Sequence, residues 1–171
     1  DTRRTGNMLR HYEIGTKILS VHEHNEGDRV SRLVQRLEAG DSIALVTDAG
    51  TPGVSDPGAT LVAAVRQAGF RVEPIPGPSA VVAAISAAGI RSDGFCFYGF
   101  APIKSKARKM WFQELVEASN SRAAVFFEAP HRLRKTLEEL GELVKCQIVV
   151  GRELTKIHEE FVFGTPVELL Q

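Results

Sequence analysis

The residues most able to do chemistry lie in Leu45 to Gly58, LVTDAGTPGVSDPG, where three glycines, two prolines and two aspartates follow an apolar run and precede a helical pattern. Loops at the carboxyl ends of parallel strands are where α/β proteins take ligands. Glycine lets backbone approach a ligand closely and tolerates positive φ, and Pro52 and Pro57 stiffen the loop. Asp48, at the tip of the apolar run, has the chemistry to hold ribose hydroxyls or a cationic group. Asp56 reads as a cap for the helix after Pro57. The pattern is neither a Walker A loop nor GxGxxG, because no Gly-Lys-Ser/Thr or matching glycine spacing occurs. A purely structural turn is the competing reading.

Further polar clusters recur at similar positions. In EPIPGPSA, Ser79 opens an Ala-rich helix and is either its N-cap or a hydroxyl facing a ligand. His22-x-His24, within VHEHNE, has two metal-ligand side chains but no second Cys/His group at a recognisable spacing, so a solvated turn is favoured over a metal site. In GRELTKIHEE, Lys156 or His158 is a candidate proton acceptor, with an ion-pair network as the alternative. Lys104, Lys106, Arg108 and Lys109, and His131, Arg132, Arg134 and Lys135, form basic clusters at two helix starts, suited either to phosphate or to solvent.

These segments need a scaffold that presents loops side by side. Short β-rich runs alternate with helical runs, the signature of parallel βα units. Strands are expected at Lys17 to Val21, Ser42 to Val46, Arg71 to Glu73, Phe95 to Tyr98, Ala123 to Glu128, Gln147 to Gly151 and Glu160 to Phe163. Val30, Leu33, Val34 and Leu37 mark one helix face, and Leu61, Val62, Val65 and Ala68 another, ended by Gly69. Helices follow over Ser79 to about Ala87, over Ser105 to Ala118, and through Leu133, Leu137 and Leu140. The polar stretch GIRSDG at Gly89 to Gly94 separates a domain of residues 1–91 from one of residues 92–171. The opening without Met and the close on PVELLQ, which resembles the first turn of a helix, read as a fragment.

With 171 residues, 43% of them hydrophobic, the chain is long enough to bury a sizeable core. Twenty-one basic and twenty-one acidic residues balance to zero, which excludes a general electrostatic affinity for nucleic acid or anionic membrane. No apolar run approaches the roughly 20 residues of a membrane span, and the opening DTRRTGNMLRHYE lacks the charged-then-apolar layout of a signal peptide, so a cytoplasmic protein without membrane partners is expected. Cys96 and Cys146, both flanked by apolar residues, read as reduced core residues.

In Asp1-Thr2-Arg3, His22 to Glu26, Leu45 to Gly58, Pro76 to Ala80, Phe97 to Phe100, Phe127 to Arg132 and Gly151 to Lys156, the chain resembles the small-subunit ribosomal RNA methyltransferases that modify a cytidine 2′-hydroxyl in 16S rRNA. They are class III S-adenosylmethionine-dependent enzymes of the tetrapyrrole methylase superfamily. The resemblance spans essentially the whole chain. It implies two α/β domains with a cofactor cleft between them, a homodimer, and a strand with a Gly-containing loop before Asp1 that is missing here.

Carried over by motif, the S-adenosylmethionine wall is Asp48, Ala49, Gly50, Val54, Ser79, Ala80, Phe100, Ala129, Pro130 and Leu154 or Thr155. The RNA side is Arg3, Asn25, Glu26, Arg132 and Arg152, with Lys156 and His158. Lys156, then Glu153 or His158, is the expected base, and no metal is required. Two other readings stand beside this one: a class III methyltransferase of a small molecule such as a tetrapyrrole, and a binding domain that keeps the pocket without chemistry.

Overall fold

The computed structural model describes residues 2–22 and 26–171. It divides into two compact units, Asp1–Pro78 and Ser79–Gln171, taking the Ala-rich helix into the second unit. Each is described by itself.

The first unit holds helices α1 (Thr2–His11), α2 (Glu26–Glu38) and α3 (Ala59–Gln67). Leu33 of α2 and Leu61 of α3 are buried. With Leu37, Ile43, Leu45, Val62, Val65 and Val72 they line a small apolar space between the helices and the segments beside them, as the i, i+3, i+4, i+7 pattern requires. The strands expected at 17–21, 42–46 and 71–73 are absent among the described residues: these segments carry no ladder. A strand exists only through a neighbour about 4.8 Å away. Residues 17–21 and 42–46 instead line a cavity of about 810 Å³, together with Met8, Leu9 and Leu61. α1 has no counterpart among the helices expected from the periodicity.

The second unit is mixed α/β. It runs α4 (Ala80–Ala88), β1 (Phe95–Phe100), α5 (Ser105–Ser119), β2 (Ala123–Phe127), α6 (Pro130–Leu143), β3 (Ile148–Arg152), β4 (Glu160–Gly164) and a 3₁₀ turn, Glu168–Leu170. β1 and β2 pair in parallel, Phe95 opposite Ala123 and Phe100 opposite Phe127, with α5 as the crossover. β3 and β4 pair antiparallel, departing from the parallel βα grammar read from the sequence. The connection 153–159 is too short for a parallel return, which needs a dozen or more residues.

Ala101, Trp111, Phe112, Leu115 and Leu140 form the core, with Tyr98, Ala124, Phe126 and Val144 packed against it. Trp111 meets Tyr98, Phe112 and Phe126 edge to face. Arg108, Trp111, Phe112 and Leu115 are the buried residues of α5, and their i, i+3, i+4, i+7 spacing puts Arg108 on the core face. Arg108 therefore leaves the solvent- or phosphate-facing cluster the sequence suggested. Cys146 is exposed in the connection from α6 to β3, correcting its reading as core, and Cys96 is half-buried. No helix among the described residues is long and apolar enough to cross a membrane.

Candidate functional site

In the first unit the glycine-rich loop runs from the extended segment at 42–46 into α3. Its base is closed by Thr47, whose Oγ1 donates to Asp56 Oδ2 at 2.6 Å. Asp56 is thus committed to Thr47 and does not cap α3: the cap position is Gly58, which makes no side-chain cap bond. Capping comes instead from Glu26, whose Oε1 accepts the amides of Gly58 at 3.1 Å and Leu61 at 3.0 Å. Those amides are among the donors a helix start leaves without intrahelical partners, and a carboxylate there also complements the helix dipole.

Gly58 has φ +133°, and a Cβ there would lie 2.8 Å from Leu45 Cδ2, so the loop needs glycine at this corner. Ser55 is also left-handed, with φ 55°. Asp48, Ala49, Gly50 and Val54 are exposed along the loop. Gly50 has φ +72°, and no atom lies within 4 Å of where its Cβ would stand. Thr51 Oγ1 lies 3.5 Å from the Pro78 carbonyl oxygen, which closes the first unit.

In the second unit Ser79 occupies the cap position of α4 with extended geometry, but its hydroxyl makes no cap bond. The cap reading of that hydroxyl is therefore corrected: it is not spent on the helix. Phe100 ends β1 and is exposed, while its ring stands 5.4 Å from that of Phe127 at the end of β2. Ala129 and Pro130 come two and three residues after β2, Pro130 opening α6, where a missing N–H costs nothing. The parallel pairing thus brings Phe100, Ala129 and Pro130 to the carboxyl ends of adjacent strands. Tyr98 sits behind them: burial pushes its hydroxyl above the usual range, with Cys96, Glu114 and Glu117 adding to the effect.

A buried polar network, which the sequence patterns did not disclose, underlies these strand ends. The Glu128 side chain is 3% exposed. Its Oε1 accepts from Ala129 N at 2.9 Å and lies 3.2 Å from Arg132 Nε. Its Oε2 accepts from Thr136 Oγ1 at 2.7 Å and lies 3.6 Å from Arg108 Nη1. Arg108 also donates to Thr136 Oγ1 and to Glu139 Oε2, each at 2.6 Å. The signal available in the sequence was Arg108 falling in step with Trp111, Phe112 and Leu115. Arg132, named for the RNA side, is half-buried and held in this network.

The connection between β3 and β4 carries Leu154 and Thr155 with Glu153, Lys156 and His158. Lys156 Nζ lies 3.1 Å from Glu153 Oε2, both side chains being exposed, and Thr155 N donates to Glu159 Oε2 at 2.6 Å. Glu153 and Thr155 adopt positive φ, 52° and 68°, unusual for a β-branched residue such as Thr155. Arg152 pairs across the hairpin with Glu160 at 3.0 Å. Arg3 lies exposed on α1. Asn25 and His24 lie outside the described residues. Among the described residues no group of three or more His, Cys, Asp or Glu is placed to hold a metal ion.

Each unit offers its own set of groups. The first supplies the Asp48 carboxylate and the Gly50 backbone with open space beside it; the second supplies the Ser79 hydroxyl, free of the helix, and the exposed Phe100 ring.

Comparison with known proteins identifies the family of the chain. The family model of tetrapyrrole (corrin/porphyrin) methylases matches residues 2–170. Proteins named ribosomal RNA small subunit methyltransferase I are similar throughout: that of Vibrio cholerae is 48% identical over 98% of this chain and 58% of its own length. That of Synechocystis is 46% identical over 96% of this chain and 59% of its own. That of Escherichia coli O157:H7 is 45% identical over 99% and 59%. The chain spans slightly under three fifths of the length of these relatives.

Proposed function

Because the chain belongs to the tetrapyrrole (corrin/porphyrin) methylase family, we propose that it forms part of an S-adenosylmethionine-dependent methyltransferase that modifies a cytidine 2′-hydroxyl in 16S rRNA of the small ribosomal subunit. The observation that carries this reading is the 45–48% identity, over 96–99% of the chain, to proteins named as small-subunit ribosomal RNA methyltransferases. Assembly as a homodimer and a cytoplasmic location belong to the same proposal.

S-adenosylmethionine supplies an already activated methyl on a sulfonium, so placement of the acceptor oxygen contributes most of the rate. Asp48, Ala49, Gly50 and Val54 of the first unit, and Ser79, Ala80, Phe100, Ala129, Pro130, Leu154 and Thr155 of the second, are the proposed contacts to it. Lys156 is the proposed proton acceptor: as the free amine, its Nζ would take the 2′-hydroxyl proton, while the bound donor would supply the methyl to that oxygen and leave as a neutral thioether as its carbon–sulfur bond breaks. Glu153, 3.1 Å from Nζ, holds that side chain over the turn. His158 in the same connection is the second candidate for this role. Arg3, Asn25, Glu26 and Arg152 are proposed for the RNA side; Glu26 also caps α3.

The test is calorimetric titration of S-adenosylhomocysteine into the full-length protein, with ATP and NAD as controls. Micromolar affinity, about −8 kcal/mol, for S-adenosylhomocysteine alone supports the reading. Equal or stronger binding of ATP or NAD contradicts it.

A further inference from the structure

We propose that Arg132 is a positioning residue of the methyl-donor wall, locking the loop after β1 to the loop after β2, and that it does not contact RNA. The inference rests on the methyltransferase reading above.

Arg132 uses its fork in two directions. Its Nε faces Glu128 Oε1 at 3.2 Å, and Glu128 is the residue that directly follows β2. Its Nη2 donates to the carbonyl of Ala101 and, at 3.4 Å, to that of Pro102, the first residues after β1. Arg108 reinforces the join from α5, with Nη1 3.3 Å from Pro102 O and 3.6 Å from Glu128 Oε2. The same carboxylate receives the amide of Ala129. One buried charge thus anchors Ala129, and the two guanidiniums that neutralise it hold the backbone next to Phe100. Phe100, Ala129 and Pro130 are the residues proposed to face the donor, so a side chain touching none of the reacting atoms fixes their spacing.

The arrangement also argues against a nucleic-acid role. The Arg132 side chain is 22% exposed, against 77% for Arg134 on the same helix. A cation kept for phosphate would not be spent on a buried carboxylate and two carbonyls. Lysine cannot replace it, because a single ammonium lacks the planar fork that reaches both partners.

The experiment compares Arg132→Lys, Glu128→Gln, their double variant and Arg134→Gln in the full-length protein. It uses hydrogen exchange of the peptides covering 100–104 and 128–132, S-adenosylhomocysteine titration, and steady-state methyl transfer to small ribosomal subunits. The expected result is faster exchange in both peptides and a donor Kd about tenfold higher or more in Arg132→Lys and in Glu128→Gln. The double variant is expected to be little worse than either single one, the KM for subunits at saturating donor to stay unchanged, and Arg134→Gln to match wild type in exchange and donor affinity. A raised KM for subunits with unaltered donor Kd and exchange would overturn the proposal. Should Arg132→Lys fail to fold, Thr136→Ser and Glu128→Gln carry the comparison, and unchanged exchange and donor affinity in Glu128→Gln would equally overturn it. Wild-type protein that takes up no S-adenosylhomocysteine would overturn the methyl-transfer reading, and the exchange data then decide by themselves whether Arg132 joins the two loops.

Discussion

Glu26 and Gly58, 32 residues apart, are joined through a 3.1 Å hydrogen bond from the Gly58 amide to Glu26 Oε1. The same oxygen receives the Leu61 amide, so the start of α2 holds the start of α3, where the glycine-rich loop ends. A residue that motif carry-over sets beside RNA thereby also has a structural role, fixing the downstream end of the loop proposed to receive the donor.

Glu26→Ala removes this cap. Loss of a helix cap costs about 0.5–2 kcal/mol, and the expected outcome is destabilisation in that range with faster amide exchange over 58–61. Urea unfolding of the variant checks it. Glu26→Gln, which keeps an acceptor oxygen, should recover most of the loss.

Gly58→Ala places a Cβ 2.8 Å from Leu45 Cδ2 at φ +133°. Forcing an L side chain into such backbone costs on the order of 1–3 kcal/mol, and Leu45 must also move. A lowered midpoint in denaturant, with Gly50→Ala less affected because nothing lies near its Cβ position, is the expected pattern.

Arg108→Met leaves Glu128, 3% exposed, short of a cation within the second unit. Removing one partner of a buried ion pair costs about 3–5 kcal/mol. The double variant Arg108→Met, Glu139→Gln should lose less than the sum of its parts, because Arg108 Nε and Glu139 Oε2 lie 2.6 Å apart. Strict additivity in a double-mutant cycle would contradict the network.

Acid should loosen the end of the second unit. Thr165 N donates to Glu168 Oε2 at 2.7 Å, and Thr165 Oγ1 to the same oxygen at 2.9 Å. The amide bond first, then the hydroxyl bond, hold the Glu168 carboxyl below its ordinary value. A carboxyl depressed in the folded state contributes stability that is fully present above its unfolded value and is lost as pH falls through the folded one. Unfolding midpoints across the acid range should therefore fall less steeply in Glu168→Gln than in wild type.

Lys156→Ala, in the full-length protein, should lower methyl transfer by about 10²–10⁴-fold while leaving S-adenosylhomocysteine affinity within error. Normal turnover would transfer the role of base away from Lys156.

How much the sequence revealed depended on whether the governing interactions were local. The periodicity of Leu33 and Leu37, of Leu61 and Val65, and of Leu133, Leu137 and Leu140 placed α2, α3 and α6, because a helix face is written within a few turns. β1 and β2 were legible from FCFYGF and AAVFFE for the same reason. The segments 17–21, 42–46 and 71–73 have strand composition, but pairing is decided by neighbours distant in the chain, and no neighbour pairs with them among the described residues. The Glu26 cap and the Arg108, Glu128, Arg132 and Thr136 network were invisible because each joins residues brought together only by folding. Asp56, next to the helix it was expected to cap, was claimed by Thr47. The loops bearing Asp48 and Ser79 could be read as site candidates from glycine, proline and strand-end position, and the one bearing Lys156 from its clustered charges, whereas Phe100 and Ala129 entered as cofactor contacts only through the family resemblance.

The most direct measurement is transfer of labelled methyl from S-adenosylmethionine to purified small ribosomal subunits by the full-length protein, followed by nuclease mapping of the labelled nucleotide. The account predicts label confined to the 2′-oxygen of a cytidine in 16S rRNA, with none on a tetrapyrrole acceptor offered in parallel. Label on the tetrapyrrole and not on the subunits, or on a base carbon or nitrogen in place of a 2′-oxygen, would contradict it.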